Sequence, residues 1–322
     1  RIDRWCIGDF FSRRNSILIE MKKIAFSLLL FSVSLFGQEV SIVVLGTAQD
    51  AGAPQIACEK ECCRDLWEMQ KTEAVVALGL IDRSEKVHFL FEATPNISQQ
   101  LNLLVDQAEP NSNFKGVFLT HAHIGHYSGL MYFGKEALSA KNIPVYALPK
   151  MTEFLQTNGP WEQLIAEKNI DINTINADQS IRLTEQITLT PLVVPHRDEY
   201  SETAGYIIQG PNKSVLFIPD IDKWERWKIP IETVLRKVDY AFLDATFFDG
   251  KELPGRDMTS IPHPFVKESM QRFDVLADSE KNKIHFIHFN HTNPLLKNTS
   301  GESIIVEEKG YHIARTGMKI NL

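Results

Sequence analysis

The sequence of 322 residues predicts an α/β protein in which two β-sheets are flanked by helices. Three observations predict this. Short apolar runs of strand length, rich in Val, Ile and Phe, recur along the chain. They fall into an N-terminal and a C-terminal series, and helical patterns are interspersed rather than gathered at one end.

The first series places strands at residues 40–45, 74–81, 87–92 and 116–120, each bounded by turn-forming residues, with helical patterns at 97–105 and 129–140. The second places strands at 187–194, 205–209, 214–218, 240–243 and 283–288. No low-complexity linker or short-period repeat separates the two, so a single domain over 38–322 is expected.

Upstream of that domain, Met21 is followed by Lys22 and Lys23, an apolar run over 24–36, then Gly37 and Gln38. Charged, apolar and small-residue parts in that order are those of a secretory signal over 21–37, with cleavage near Ser34 or Gly37. The run is too short to span a bilayer as a helix. No Cys follows it, so no lipid anchor is indicated, and the expectation is a periplasmic or secreted product without a stable membrane anchor. Residues 1–20 begin with Arg and precede this signal, and they read as a leader outside the native protein. Removing the leader's four Arg and three acids and the signal's two Lys takes the formal charge from -7 to -10. An acidic surface of that size disfavours nucleic acid as a partner.

The remaining segment keeps Cys58, Cys62 and Cys63. Three thiols cannot all pair within one chain, and adjacent Cys62 and Cys63 are poorly placed to bond each other. The cluster is either one disulfide plus a free thiol or a metal clip.

The chemistry concentrates in one hexapeptide. His121, His123 and His126 stand directly after the apolar residues 117–119, and the chain has ten His in all. Residues two apart in extended backbone project to the same side, so His121 and His123 can converge on one metal ion. His126 then opens a helix over 127–138. Further metal-ligand types close later strands: His196 after 193–195, Asp220 after 217–219 and His288 after 284–287. A divalent ion on neutral imidazoles lowers the pKa of water from about 15.7 towards about 7, which makes hydroxide available at neutral pH. Such a donor set suits zinc, and iron or manganese is also compatible.

This order of a strand-end acid, a His cluster, a distant His, a later Asp and a final His resembles the metallo-β-lactamase fold superfamily across the whole domain. Within it the chain is similar to the coenzyme PQQ synthesis protein B group and to the cyclic phosphodiesterases of phosphonate utilisation. The likeness is carried by LGTAQDAGAPQ at 45–55, FEATP at 91–95, LDAT at 243–246 and HFNHTNP at 288–294. It implies a four-layer αββα sandwich of two mixed sheets. It also implies that His121, His123 and His196 hold one ion, that His126 and His288 serve a second, and that Asp220 bridges them. Gly125 stands where the superfamily usually has an Asp ligand, so a weak second site is expected, strengthened by Gly125→Asp; a tight one would need Asp50 or a neighbour to supply the carboxylate. Glu92 replaces the commoner strand-end Asp in a mainly structural role. His263 matches the general acid of the phosphodiesterases, and read on its own is a loop His between prolines. A structural zinc on Cys58, Cys62, Cys63 and His291 is implied too, although Lys60 occupies the middle position of the relatives' C-x-C-x-x-C. A disulfide from Cys58 to Cys62 or Cys63 is the competing account.

The function implied is an exported metal-dependent hydrolase acting on a phosphodiester or related ester of a small anionic molecule. The alternatives are an iron-dependent oxidative role of the PQQ-pathway type, which export disfavours, and a degenerate metal binder without catalysis.

Overall fold

The computed structural model describes residues 39–322, so the leader and signal over 1–37 lie outside the described residues. The first sheet is built from β1 (Val40–Gly46), β2 (Ala77–Asp82), β3 (Val87–Phe91), β4 (Asn113–Phe118), β5 (Ile143–Ala147) and β6 (Ile170–Thr174). The second is built from β7 (Ile181–Arg182), β8 (Thr188–Val194), β9 (Thr203–Gln209), β10 (Ser214–Ile218), β11 (Tyr240–Asp244), β12 (Ile284–Ile287) and β13 (His312–Ile313). β14 (Lys319–Asn321) returns to pair with β1. Each sheet has seven strands, in the orders β14-β1-β2-β3-β4-β5-β6 and β13-β12-β11-β10-β9-β8-β7. Both are mixed: β1 to β3 pair antiparallel while β3 to β6 run parallel, and β7 to β10 pair antiparallel while β10 to β13 run parallel.

The two sheets face each other across one apolar layer. Ile42, Leu80, Phe91 and Phe118 on the first meet Ile208, Tyr206, Phe217 and Ile287 on the second. The Phe91 and Phe118 rings stack at 5.0 Å and both meet Tyr206 edge-on. Burying each such ring stabilises the fold by about 1.5–3 kcal/mol. Strands covered on both faces read as continuous apolar runs, which is why β1 and β10 are buried at every position.

Helices close the outer faces. Among the described residues, α1 (Glu61–Glu68), α2 (Ile97–Gln107), α3 (Ile124–Tyr127), α4 (Pro149–Thr157) and α5 (Trp161–Ala166) belong to the first half. In α2, Ile97, Gln100 and Leu104 are the buried residues, spaced by three and four, so one stripe meets the sheet. Leu104, Met151, Leu155 and Trp161 join the outer layer of the first sheet. On the second sheet, α6 (Ile231–Leu235), α7 (Val266–Phe273) and α9 (Gly301–Glu308) contribute Leu235, Phe273 and Val306 to the opposite layer, and α8 (Asp278–Lys281) follows α7. The result is the four-layer αββα sandwich.

The chain departs from the expected helix over 127–138. A 3-10 segment, Ser128–Phe133, follows the single turn of α3 instead, and His126 lies inside that turn. Gly129 explains the change: its N–H donates to Ala93 O at 2.8 Å, and a Cβ there would stand 2.1 Å from Thr94 O. The segment presses against the residues after β3, so it cannot continue as a regular helix. β5 and β6 were not apparent as apolar runs because β5 contains Pro144 and β6 is a polar edge strand with Asp171, Asn173 and Thr174.

Candidate metal centre

The site forms where strand ends of the two sheets meet. Gln49 N donates to Phe289 O and Phe289 N to Thr47 O, both at 2.8 Å, which joins the chain after β1 to the chain after β12. Ala204 N donates to Thr120 O at 2.9 Å, and the Tyr206 hydroxyl donates to Leu119 O, which joins β9 to the chain after β4. These cross-links bring together His121, His123, His126, His196, Asp220, His263 and His288.

Asp220 is the hub. Its Oδ2 lies 3.3 Å from His121 Nε2, 3.9 Å from His123 Nδ1, 3.8 Å from His126 Nε2 and 3.9 Å from His288 Nε2. Its Oδ1 lies 3.3 Å from His196 Nε2 and 3.1 Å from His263 Nδ1. All of these side chains except His123 are nearly inaccessible to solvent.

The outer hydrogen bonds set which nitrogen of each ring carries the proton. Thr120 donates its hydroxyl to Glu92 Oε1 at 2.6 Å and so accepts from His121 Nδ1 at 2.9 Å. Thr246 likewise donates to Asp244 Oδ1 at 2.7 Å and accepts from His288 Nδ1 at 2.9 Å. His126 Nδ1 faces Glu92 Oε1 and His123 Nε2 faces Glu199 Oε2, both at 3.2 Å, while His196 Nδ1 stands 3.3 Å from Asp222 Oδ1 in an ion-pair contact without hydrogen-bond geometry. In each neutral ring the remaining nitrogen therefore turns a lone pair inward. Those inward atoms, His121 Nε2, His123 Nδ1, His126 Nε2, His196 Nε2 and His288 Nε2, are buried and have no hydrogen-bond partner. Buried polar atoms are almost always satisfied, so five lone pairs around one carboxylate fit a bound cation. The outer partners are those expected to orient metal-binding imidazoles.

The electrostatics show how strongly the buried carboxylates draw positive charge to this ring. Burial opposes charge on Asp220, yet His196, His263 and His288 hold its carboxyl well below the usual range. Burial, and then neighbouring His126, pushes His121 well below its ordinary value. Against the effect of burial, Asp220 pushes His196 up to about 9, while Asp244 and Asp220 push His263 up to about 10. Glu92 and Asp50 likewise raise His126 against its burial. Protons and a metal ion compete for these nitrogens.

Two residues hold left-handed backbone beside the site: Glu92 at φ 76° and His288 at φ 69°. Each follows directly on a strand, and such strain, about 1–2 kcal/mol per residue, is tolerated where the surroundings fix the geometry for a purpose.

His263 is brought to the centre rather than left in a loop, with Nδ1 2.8 Å from Asp244 Oδ2. The expectation for Gly125 is changed by the structure. A Cβ there would lie 2.4 Å from Asp50 Cα and 2.5 Å from Asp50 Oδ1. Asp50 already fills the position, and Gly125→Asp cannot be accommodated without moving its backbone. The sequence reading assigns no role to Asp244, Asp222, Glu199, Thr120 or Thr246. Asp244 and Thr246 did lie within the LDAT stretch that carries the family likeness.

A separate cluster joins Cys58, on the loop before α1, and Cys62 and Cys63, in the first turn of α1, to His291 beyond β12. One ligand atom from each of Cys58, Cys62, Cys63 and His291 lies within 4.8 Å of the others. The three cysteines stand unpaired in the structure. Burial and then the neighbouring Cys63 and Cys58 push the Cys62 thiol up to about 12.

Residues 88–289, more than half of the chain, match the family model of the beta-lactamase superfamily domain. The chain belongs to the beta-lactamase superfamily. Among curated members, coenzyme PQQ synthesis protein B of Methylorubrum extorquens strain PA1 is 24% identical over 318 residues, covering 87% of this chain and 99% of its own. The protein of that name from Klebsiella pneumoniae strain 342 is 25% identical over 311 residues, covering 87% and 98%. Among solved structures, Zn²⁺-bound PqqB from Methylobacterium extorquens superposes with a TM-score of 0.73 at 20% identity, covering 88% of this chain and 100% of that one. A diphosphatase of the PhnP family superposes at 0.60 and 19%, covering 87% and 96%. At these identities the superpositions show that this superfamily member shares their fold.

Proposed function

We propose that the protein is a metal-dependent hydrolase acting on a phosphodiester or related ester of a small anionic molecule. The observation that carries this reading is the ring of five inward imidazole lone pairs around Asp220. His121, His123 and His196 would hold one ion, His126 and His288 a second, and Asp220 would be shared. Zinc suits this donor set, and the Zn²⁺-bound relative supports that choice; iron or manganese would also accept imidazole and carboxylate. A divalent cation held there supplies Lewis acidity and a nucleophilic water.

The chain's own residues do the rest. Thr120, Glu92, Asp222, Glu199 and Thr246 fix the rings. His263 is oriented by Asp244 at 2.8 Å and stands beside Asp220 at 3.1 Å, which places it to hold a proton for a leaving oxygen. Asp50, Glu92, Asp220 and Asp244 all crowd this site, so attraction of an anionic substrate depends on cations offsetting them. Nucleic acid is not a partner in this reading. Export through the segment over 21–37 to a periplasmic or secreted location belongs to the same proposal. So does a structural zinc on Cys58, Cys62, Cys63 and His291, which would tie the first loop to the chain just beyond His288.

The test is metal analysis of the purified protein together with a screen of phosphodiesters, phosphomonoesters and lactones. Cleavage of a phosphodiester by the metal-loaded protein and its loss on chelation are expected. A loaded protein that cleaves none of the three classes would overturn the hydrolase reading. A second reading, a role like that of coenzyme PQQ synthesis protein B, is favoured by matches spanning nearly the full length of those relatives. It would show as iron in the purified protein and an oxidative reaction in place of hydrolysis.

A further inference from the structure

We propose that Asp50, on the loop after β1, is a carboxylate ligand of the second metal position and replaces a side chain that Gly125 cannot carry. The inference rests on the two-ion reading above and adds a ligand to it from another part of the chain.

Asp50 Oδ1 lies 3.2 Å from His126 Nε2, and one ligand atom from each of Asp50, His126 and His288 lies within 4.8 Å of the others. All three inward atoms are buried without a hydrogen-bond partner. His126 and His288 have their Nδ1 atoms committed to Glu92 and Thr246, so each presents a lone pair through Nε2. A carboxylate oxygen facing two imidazole nitrogens is repulsive unless a proton or a metal ion lies among them, and a metal ion can meet all three atoms at once.

The steric relation is equally specific. Any side chain at position 125 would start 2.4 Å from the Asp50 backbone and 2.5 Å from its Oδ1. A carboxylate from 125 and one from Asp50 are thus mutually exclusive, and glycine at 125 is what admits Asp50. The loop is held for the purpose: Gln49 N donates to Phe289 O at 2.8 Å, and Gly52 N closes a turn on Gln49 O at 2.7 Å. Asp50 is thereby anchored to the residue that follows His288.

Titration of the metal-free full chain with Co²⁺ tests the inference, because thiolate absorption reports the cysteine cluster separately from the histidine sites. The native protein should bind two ions at the histidine sites. Asp50→Asn should weaken one of them by at least about 10-fold and leave the other, and the thiolate band, unchanged. Gly125→Ala keeps Asp50 but pushes it away, and should weaken the same ion. Gly125→Asp should not strengthen it. Native affinity for both ions in Asp50→Asn, or a native protein holding one histidine-site ion, would overturn the assignment of Asp50. Two ions bound as described in a protein that hydrolyses nothing would refute the hydrolase reading and leave this assignment standing.

Discussion

Glu92→Gln tests whether the buried acid after β3 is part of the metal centre or merely part of the fold. Glu92 is fully buried and its two oxygens have divided duties. Oε1 accepts from the Thr120 hydroxyl at 2.6 Å and faces His126 Nδ1 at 3.2 Å, while Oε2 accepts from Thr120 N at 3.3 Å. A glutamine has the same shape but only one acceptor oxygen. With that oxygen in the Oε1 position, its NH₂ group meets the Thr120 N–H, and a buried donor is left facing a donor. Such a loss costs about 1–3 kcal/mol, and weakening the charge-assisted contact to His126 adds to it. His126 and, through Thr120, His121 then have a neutral amide oxygen in place of the carboxylate that fixes their proton on Nδ1, so metal affinity should fall, by up to about 10–100-fold. Urea unfolding of metal-free protein measures the first effect, and competition against a chromophoric chelator measures the second. A variant with stability within about 0.5 kcal/mol of native, the usual scatter of a neutral substitution, would refute the hydrogen-bond account. Unchanged metal affinity would refute the claim that Glu92 orients the ligands.

His121→Ala and His196→Ala should each abolish first-site metal and hydrolysis together, as read by metal analysis and the ester assay, whereas Asp220→Ala should reduce activity more than first-site occupancy. Denatured, unreduced protein in chelator should show Cys58, Cys62 and Cys63 all free; a single free thiol among them would mean a disulfide and defeat the structural zinc. Burial pushes His285 down to about 4 from 6.5, so stability present above about pH 6.5 is lost as pH falls towards 4. Between about pH 7 and pH 5 the native protein should lose about 2 kcal/mol more than His285→Asn in urea unfolding, and equal losses would refute the assignment.

The parts of the site visible in the sequence were those that are local. The histidine hexapeptide shows because two ligands two residues apart on extended chain must converge, whatever the rest of the fold does. His196, Asp220 and His288 each stand just beyond an apolar strand, and strands of two facing sheets that end together bring such residues to one edge. The outer partners were not visible for the opposite reason. Glu199 and Asp222 look like ordinary surface acids until His123 and His196 are placed against them. Asp50 could be named from the sequence only as one source of the carboxylate missing at Gly125, because its place against Gly125 depends on the cross-link from Gln49 to Phe289. The expected helix over 127–138 failed in the same way: its periodicity is real, but the Gly129 N–H is taken by Ala93 across the site.

A centre of this kind works against the fold that carries it. Five imidazoles turn lone pairs toward buried carboxylates, and Glu92 and His288 sit in left-handed backbone at its rim. Each feature would be relieved by an apolar or protonated alternative. What keeps them in place is the apolar layer between the sheets behind them and the cross-sheet hydrogen bonds in front. Metal binding then recovers part of that cost, because an ion that binds the folded ring and not the unfolded chain adds its binding free energy to stability. The same arrangement makes the ring sensitive to acid. Protons compete for the nitrogens that face inward, so acid should weaken metal retention before the aromatic layer between the sheets gives way.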